Sequence, residues 1–331
     1  MNILEALYYS GFKYKKQTGL KKQKKLPHPV ISIGNITMGG TGKTPVVIAL
    51  ALQAAARGFK PCILTRGYKG RTTKPRHASI GSGPISNYLE LGDEPVLMAQ
   101  RTEGVEIIVG ADRFMAGLLS KDSNLFILDD GFQHWRLYRD IDIALIDITA
   151  HKGDRLLPFG SLREPQSGLR RADIIIKTRC NQGNGDKTDK MLHYYGIKNP
   201  IFDADFKPRY LINAYGERFN IDNLTDKSVF AFSGIGNPKS FILTLKSIGV
   251  NIAGTKEFRD HYSYSHRDII EMIKQTNSCG AQCLLTTEKD ILKLQMIKGL
   301  PQQPQIYALG LDFIIDYSFY DMVFSKIYYK D

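Results

Sequence analysis

Gly39-Gly40-Thr41-Gly42-Lys43-Thr44 brings glycines, a lysine and a hydroxyl into one short stretch. Glycines let successive backbone N–H groups curl around phosphates, and a helix N-terminus behind them adds a favourable dipole. Lys43 would then reach the β- and γ-phosphates, and the Thr44 hydroxyl would ligate Mg²⁺. Thr37 stands where the general phosphate-loop pattern has its first glycine; the later glycines are kept. A second stretch, Leu125-Phe126-Ile127-Leu128-Asp129-Asp130, ends a hydrophobic run in two carboxylates, one of which would hold Mg²⁺ directly or through water. Gln133 and His134 come next, placed to donate hydrogen bonds near the phosphates or an acceptor group. In the proline-bounded loop further on, Arg163 suits a phosphate, and Glu164 suits a metal shell or a salt bridge. Together these residues predict a chain that binds a nucleoside triphosphate.

Positioning such groups requires strands that end where the polar residues begin. From Pro27 the sequence alternates strand-like runs (Val30–Ile33, Pro61–Thr65, Glu106–Val109, Leu125–Asp130, Ile141–Asp147, Asp173–Lys177) with helical patterns such as Pro45–Arg57 and Asp93–Arg101. That alternation predicts a mostly parallel sheet covered on both faces, with ligands beyond the carboxyl ends of the strands. Thr65-Arg66-Gly67-Tyr68-Lys69-Gly70 ends one strand as a cationic, glycine-hinged loop. Gly92-Asp93-Glu94-Pro95 reads by itself as a helix start with early acids. Asn199–Phe206 and Tyr210–Tyr215 read as connecting ribbon, and beyond Leu224 a second α/β unit begins. Its Gly234-Ile235-Gly236-Asn237-Pro238 loop is half a dinucleotide fingerprint, weak because the third glycine is missing. Phe258-Arg259-Asp260-His261-Tyr262 gathers Asp, His and aromatics at a strand end.

Composition is globular, with 43% hydrophobic and 24% charged residues. No apolar run is long enough to span a bilayer and no signal peptide is evident. Cys62, Cys180, Cys279 and Cys283 lack metal-site spacing and read as reduced thiols. The net charge of +12 invites nucleic acid or an anionic membrane. Lys13, Lys15, Lys16, Lys21, Lys22, Lys24 and Lys25 crowd one terminal segment, which argues against a basic groove for nucleic acid. Ahead of them Ile3, Leu4, Leu7, Tyr8, Gly11 and Phe12 recur at helical spacing. Such a helix suits the headgroup region of an anionic leaflet, or else packs its stripe on the protein's own core.

With these motifs assembled, the chain resembles the tetraacyldisaccharide 4'-kinase family. The resemblance rests on Ser32 through Pro45, Thr65-Arg66-Gly67-Tyr68, Gly92-Asp93-Glu94-Pro95, Asp129-Asp130-Gly131-Phe132-Gln133-His134, Leu162-Arg163-Glu164-Pro165, Phe258 through Tyr262, and Thr286-Thr287-Glu288-Lys289-Asp290. It implies a P-loop NTPase-type parallel-sheet α/β domain and a smaller C-terminal α/β domain joined by a β-ribbon, with the active site in the cleft between them, and an N-terminal amphipathic helix. The corresponding segments are 1–26, membrane-surface helix; 27–206, nucleotide-binding domain; 207–226, ribbon; and 227–331, C-terminal domain. It further implies transfer of the γ-phosphate of ATP to the 4'-hydroxyl of an acylated glucosamine disaccharide 1-phosphate, with ATP and Mg²⁺ as cofactors. Thr37, Gly39, Gly40, Thr41, Gly42, Lys43, Thr44, Gln133, His134 and Arg163 would surround the nucleotide. Thr44, Asp129, Asp130 and Glu164 would be in or near the metal shell, and Asp93 with His261 would activate the acceptor hydroxyl, alongside Lys43. Residues 1–26 would dock on the cytoplasmic face of the bacterial inner membrane; no nucleic-acid partner and a monomer are expected. The competing readings are a P-loop ATPase with a conformational or transport output and a nucleic-acid-dependent NTPase. ATP turnover that depends on an amphiphilic sugar separates the kinase from both.

Overall fold

The computed structural model describes residues 2–149 and 155–328; the ends of the 1–26 and 227–331 segments, at 1 and 329–331, lie outside it. The chain divides into two compact units, Met1–Asp205 with Phe313–Asp331, and Phe206–Asp312.

The first unit opens with helix α1 (Ile3–Lys21), started by a capping box in which Asn2 and Glu5 satisfy each other's backbone N–H. Strand β1 (Val30–Asn35) leads into α2 (Lys43–Ala56), then β2 (Pro61–Thr65), β3 (Arg76–Ile80), α3 (Tyr88–Leu91), α4 (Asp93–Arg101), β4 (Glu106–Val109), α5 (Arg113–Gly117), β5 (Leu125–Asp129), β6 (Ile141–Asp147), β7 (Ile174–Thr178) and α6 (Asp186–Tyr194). The first residues of β8 (Ile201–Asn213) close this part of the sheet. Its order is β3-β4-β2-β5-β1-β6-β7-β8. The strands pair in parallel throughout this order except at β3 with β4, which is antiparallel. Strands β1, β2 and β5 are buried along their whole length, as continuous apolar runs covered on both faces must be. The path turns back at β1, with β5 on one side and β6 on the other. In such sheets that turning point is where a crevice opens beyond the strand ends.

The second unit holds the rest of β8, then β9 (Arg218–Asn220), β10 (Ser228–Ser233), α7 (Pro238–Ser247), β11 (Asn251–Glu257), α8 (His266–Ser278), β12 (Cys283–Thr287), α9 (Glu288–Leu294) and most of β13 (Gln305–Ile315). Its sheet runs β11-β10-β12-β13-β8, and β9 pairs antiparallel with β8. The period-2 alternation of β10 serves two helices. Val229 and Ala231 join the α7 residues Phe241 and Leu245, while Phe230 and Phe232 join Ile269 and Met272 of α8.

The α/β class with a phosphate-loop sheet and a smaller second unit is as expected from sequence. The last helix, α10 (Ser318–Tyr328), groups with the first unit, whereas the sequence reading carried the second domain to residue 331. Its apolar face decides this: Phe324 stacks on Phe59 at 5.6 Å, Phe319 meets Phe202 edge-on at 5.5 Å, and Asp321 pairs with Arg57 at 2.7 Å. Helix α1 divides its own apolar residues. Tyr8 and Tyr9 pack on the core, Phe12 meets Trp135, and the Tyr8 hydroxyl donates to the Arg163 carbonyl at 2.8 Å. Ile3, Leu4 and Leu7 face outward, 80%, 52% and 64% exposed.

Candidate phosphate-transfer site

The phosphate loop leaves β1 at Asn35, whose buried side chain organises the turn. Its Nδ2–H donates to the hydroxyls of Thr37 (3.2 Å) and Thr41 (3.0 Å), and its Oδ1 accepts from Lys43 Nζ at 3.3 Å. Gly39 and Gly42 sit at φ 111° and 83°, a region glycine enters without strain, and Gly42 opens α2. The loop is clamped from one side by the chain around Leu162. Met38 N–H donates to the Ser161 carbonyl (2.7 Å) and Arg163 N–H to the Ile36 carbonyl (2.8 Å). From the other side, the end of β7 holds its carbonyls. Thr178 Oγ1 donates to Thr41 at 3.2 Å and Arg179 Nη1 to Gly40 at 3.5 Å. With carbonyls tied outward, the remaining N–H groups of the loop can turn toward an anion.

Asp130 is the centre of the charge arrangement. It has φ 49°, a left-handed conformation uncommon outside glycine, and accepts from Arg163 Nη1 with both oxygens (2.9 and 2.8 Å) and from Lys43 at 3.2 Å. Burial pushes its carboxyl up, but Lys43 and then Arg163 overcome this and hold it well below the usual carboxylate range. Asp129, one residue earlier, is buried and accepts from Thr65 Oγ1 at 2.8 Å. Burial first, then the charges of Glu94 and Asp130, push it up to about 6. Adjacent carboxylates thus have opposite environments, one held down by two paired cations and one pushed up by burial and neighbouring acids.

Gln133 links the loop to the next element: its Nε2 donates to the Asn35 carbonyl (2.8 Å) and to Glu164 (2.6 Å). Glu164 is 2% exposed and forms a two-pronged pair with Arg171 at 2.6 and 2.7 Å. Of the two uses its sequence context suggests, metal shell or salt bridge, the salt bridge is the one its oxygens carry. Arg171 also lies 3.6 Å over the Phe132 ring. His134 bonds through its backbone N–H to Gly131, while burial, then Arg113 and Arg139, push its imidazole down to about 4. Arg113, buried and pushed down to about 10 by burial, lies close enough to feel both Asp129 and Asp130.

Asp93 begins α4, buried, its Oδ1 accepting the Glu94 N–H at 3.0 Å. The turn before it rests on the loop after β2. Gly67 (φ 66°) and Gly92 (φ 93°) meet backbone to backbone, where an added Cβ would lie 2.8 Å from the Leu91 carbonyl and 2.7 Å from that of Tyr68. This contact joins two motifs that stand apart in the sequence. His261, in the second unit, adopts φ 56° and anchors its N–H on the Gly234 carbonyl at 2.9 Å. Sequence reading gave no role to Asn35, Arg113, Arg171 or Arg179. Only Asn35 carries a local signal, a polar residue closing a buried apolar strand.

A hydroxyl and carboxylates are the hard oxygen donors Mg²⁺ takes, and a cation beside Asp129 would offset the burial and the neighbouring acids that push its carboxyl up. Among the described residues no group of three or more His, Cys, Asp or Glu side chains could enclose a metal. Thr44 with Asp129 or Asp130 therefore fits Mg²⁺ only with phosphate oxygens and water completing the shell, its usual manner of binding.

A strand, phosphate loop, helix and acidic strand end in this order define a P-loop nucleotide-binding protein. The family model for tetraacyldisaccharide-1-P 4'-kinase matches residues 1–328. A tetraacyldisaccharide 4'-kinase of Geobacter metallireducens is 37% identical over 299 residues, covering 89% of this chain and 86% of that one. The enzyme of the same name from Syntrophus aciditrophicus is 38% identical over 291 residues, covering 83% and 78%. The crystal structure of Aquifex aeolicus LpxK in complex with ATP has a TM-score of 0.75 at 31% identity, over 98% of each chain. The chain belongs to the tetraacyldisaccharide-1-P 4'-kinase family.

The low pKa of His134 fixes a sign for pH dependence. An unfolded histidine titrates near 6.5, so the folded state binds fewer protons between that value and about 4, and stability falls as pH drops through this window. Ring-carbon NMR of His134 is expected to show a midpoint near 4 and a flat signal from about pH 6 to 8; a midpoint at or above 6.5 contradicts this environment.

Proposed function

We propose that this chain transfers the γ-phosphoryl group of ATP to the 4'-hydroxyl of a tetraacyldisaccharide 1-phosphate, the kinase step of lipid A assembly. The observation that carries the reading is the convergence of Lys43 and Arg163 on Asp130 beside the phosphate loop. Two cations held by one carboxylate are ready to receive phosphate oxygens, and loop N–H groups extend the same field. Thr44 and Asp129, with Asp130 nearby, would hold Mg²⁺, which when bound neutralises phosphate charge. Gln133 holds the Asn35 carbonyl at the start of the loop, and Glu164 orients Gln133 and Arg171. His134 serves as a neutral group, since its imidazole is held uncharged near neutrality.

The family resemblance assigns Asp93 and His261 to activation of the acceptor hydroxyl. A sugar hydroxyl is too weakly acidic to ionise alone, so a carboxylate acting with an imidazole assists as the proton leaves late in transfer. The substrate is an amphiphile, and the outward Ile3, Leu4 and Leu7, with lysines after them, suit an anionic membrane surface. No described helix is long and apolar enough to cross a membrane. The outward apolar residues and the lysines after them support a peripheral enzyme docked on a membrane surface, which we place on the cytoplasmic face of the inner membrane.

Asp93→Ala and His261→Ala are each expected to lower turnover about 10²- to 10⁴-fold with ATP binding retained. Turnover close to that of the parent in both removes the pair from the mechanism. For the membrane contact, Ile3→Asp/Leu4→Asp/Leu7→Asp is a cleaner variant than deletion of 1–26, because deletion would also strip Tyr8 and Phe12 from the core. The triple variant is expected to leave anionic vesicles in flotation while keeping its melting temperature; undiminished flotation contradicts the docking role.

A further inference from the structure

Thr286-Thr287-Glu288-Lys289-Asp290 has no part in the chemistry above, yet it holds a buried ion pair in the second unit. Asp290 is fully buried in the first turn of α9, and Lys293, also buried, lies 3.0 Å from its Oδ1. Its other oxygen accepts from Thr287 Oγ1 (2.8 Å) and from the backbone N–H of Gly234 (3.0 Å). Gly234 is the first residue past β10, and its carbonyl accepts the N–H of His261 at 2.9 Å. One peptide residue is therefore held at its N–H by Asp290 and holds His261 by its carbonyl. Space around it is closed. An added Cβ at Gly234 would lie 3.1 Å from the Tyr264 hydroxyl, 3.2 Å from Asp290 Oδ1 and 3.2 Å from Tyr262 Cβ. Tyr262, Tyr264 and Phe258 pack ring on ring beside it, with centroids 4.6 to 5.3 Å apart.

A buried ion pair is seldom more stabilising than apolar residues of the same size, so its presence here asks for another reason. His261 supplies one. Its left-handed φ is a conformation a non-glycine residue keeps only where its surroundings over-determine it. We propose that Asp290, locked by Lys293, is a positioning residue for His261, acting through the Gly234 peptide. The kinetic part of this inference rests on the assignment of His261 to acceptor activation; the structural part does not.

The test uses the full chain. Asp290→Ala combined with Lys293→Met removes the acceptor without stranding a buried ammonium, and Asp290→Asn with Lys293→Met restores a carbonyl at the same place. Two readings are taken: the ring-carbon NMR signal of His261, assigned by its loss in His261→Ala, and kcat with KM for ATP in lipid phosphorylation. The Asp290→Ala double variant is expected to displace the His261 signal and lower kcat about ten- to hundredfold at unchanged KM for ATP, as a misplaced reacting group does. The Asp290→Asn double variant is expected to recover most of both. If the Asp290→Ala double variant does not fold, Gly234→Ala presses a methyl against Asp290 and Tyr264 with the ion pair intact, and the same displacement is expected. An unmoved His261 signal in the folded variant overturns the tether, whatever the kinetics. A displaced signal with unchanged kcat supports the tether and contradicts the role given to His261 in the reaction.

Discussion

The site depends on how two adjacent carboxylates at the end of one buried strand are neutralised. Successive residues of a strand point to opposite sides, and the left-handed turn at Asp130 breaks that alternation, sending its carboxylate to Lys43 and Arg163. Asp129 stays within the strand, bonded to Thr65 and pushed up to about 6 by its burial and then by the charges of Glu94 and Asp130. The phosphate loop meets Asp130 through Lys43, the Leu162 segment meets it through Arg163, and Gln133 ties both to Asn35 and Glu164. Asp130 already holds Lys43 and Arg163 in place, so under the proposed function an entering phosphate would meet two cations that are organised before it arrives. Preorganised charge of this kind avoids reorganisation during reaction.

The second unit solves a different problem by related means. Its buried pair, Asp290 with Lys293, fixes a backbone turn through the Gly234 N–H. Glu288, from the same motif, accepts from the Tyr210 hydroxyl at 2.6 Å and ties α9 to β8. The motif thus acts as a brace for the strand ends of its own sheet. In both units charge holds loops in shape at the carboxyl ends of parallel strands, where an α/β protein has its least regular backbone.

Sequence carried far where the chemistry is local. The phosphate loop, Asp129-Asp130 and Gln133 lie within short stretches whose residue types already state a purpose, and strands β2, β4 and β6 fall on the expected residues. What was not legible depends on distant partners. The salt bridge of Glu164 with Arg171 spans a 3₁₀ segment that no periodicity announces. Strand β3 carries no clear alternation in sequence, because its residues are partly exposed and its register shifts between His77 and Ser79. The apolar stripe of α1 could not tell membrane from core, and the structure divides it, Tyr8 and Phe12 inward, Ile3 and Leu7 outward. Helix α10 shows the same limit: its aromatic face is plain, but nothing in it names Phe59 and Phe202 as the surfaces it covers.

The most direct measurement is phosphorylation of a detergent-dispersed acylated disaccharide 1-phosphate by the full chain, with ATP and with Mg²⁺ present or withheld, read by mass spectrometry and ³¹P NMR. The expected result is gain of a single phosphate at the 4'-hydroxyl, on the sugar distal to the existing phosphate, only when Mg²⁺ is present. ATP hydrolysis that proceeds with no phosphate on the lipid would contradict the account, leaving the cradle of Lys43, Arg163 and Asp130 to an ATPase with a conformational output.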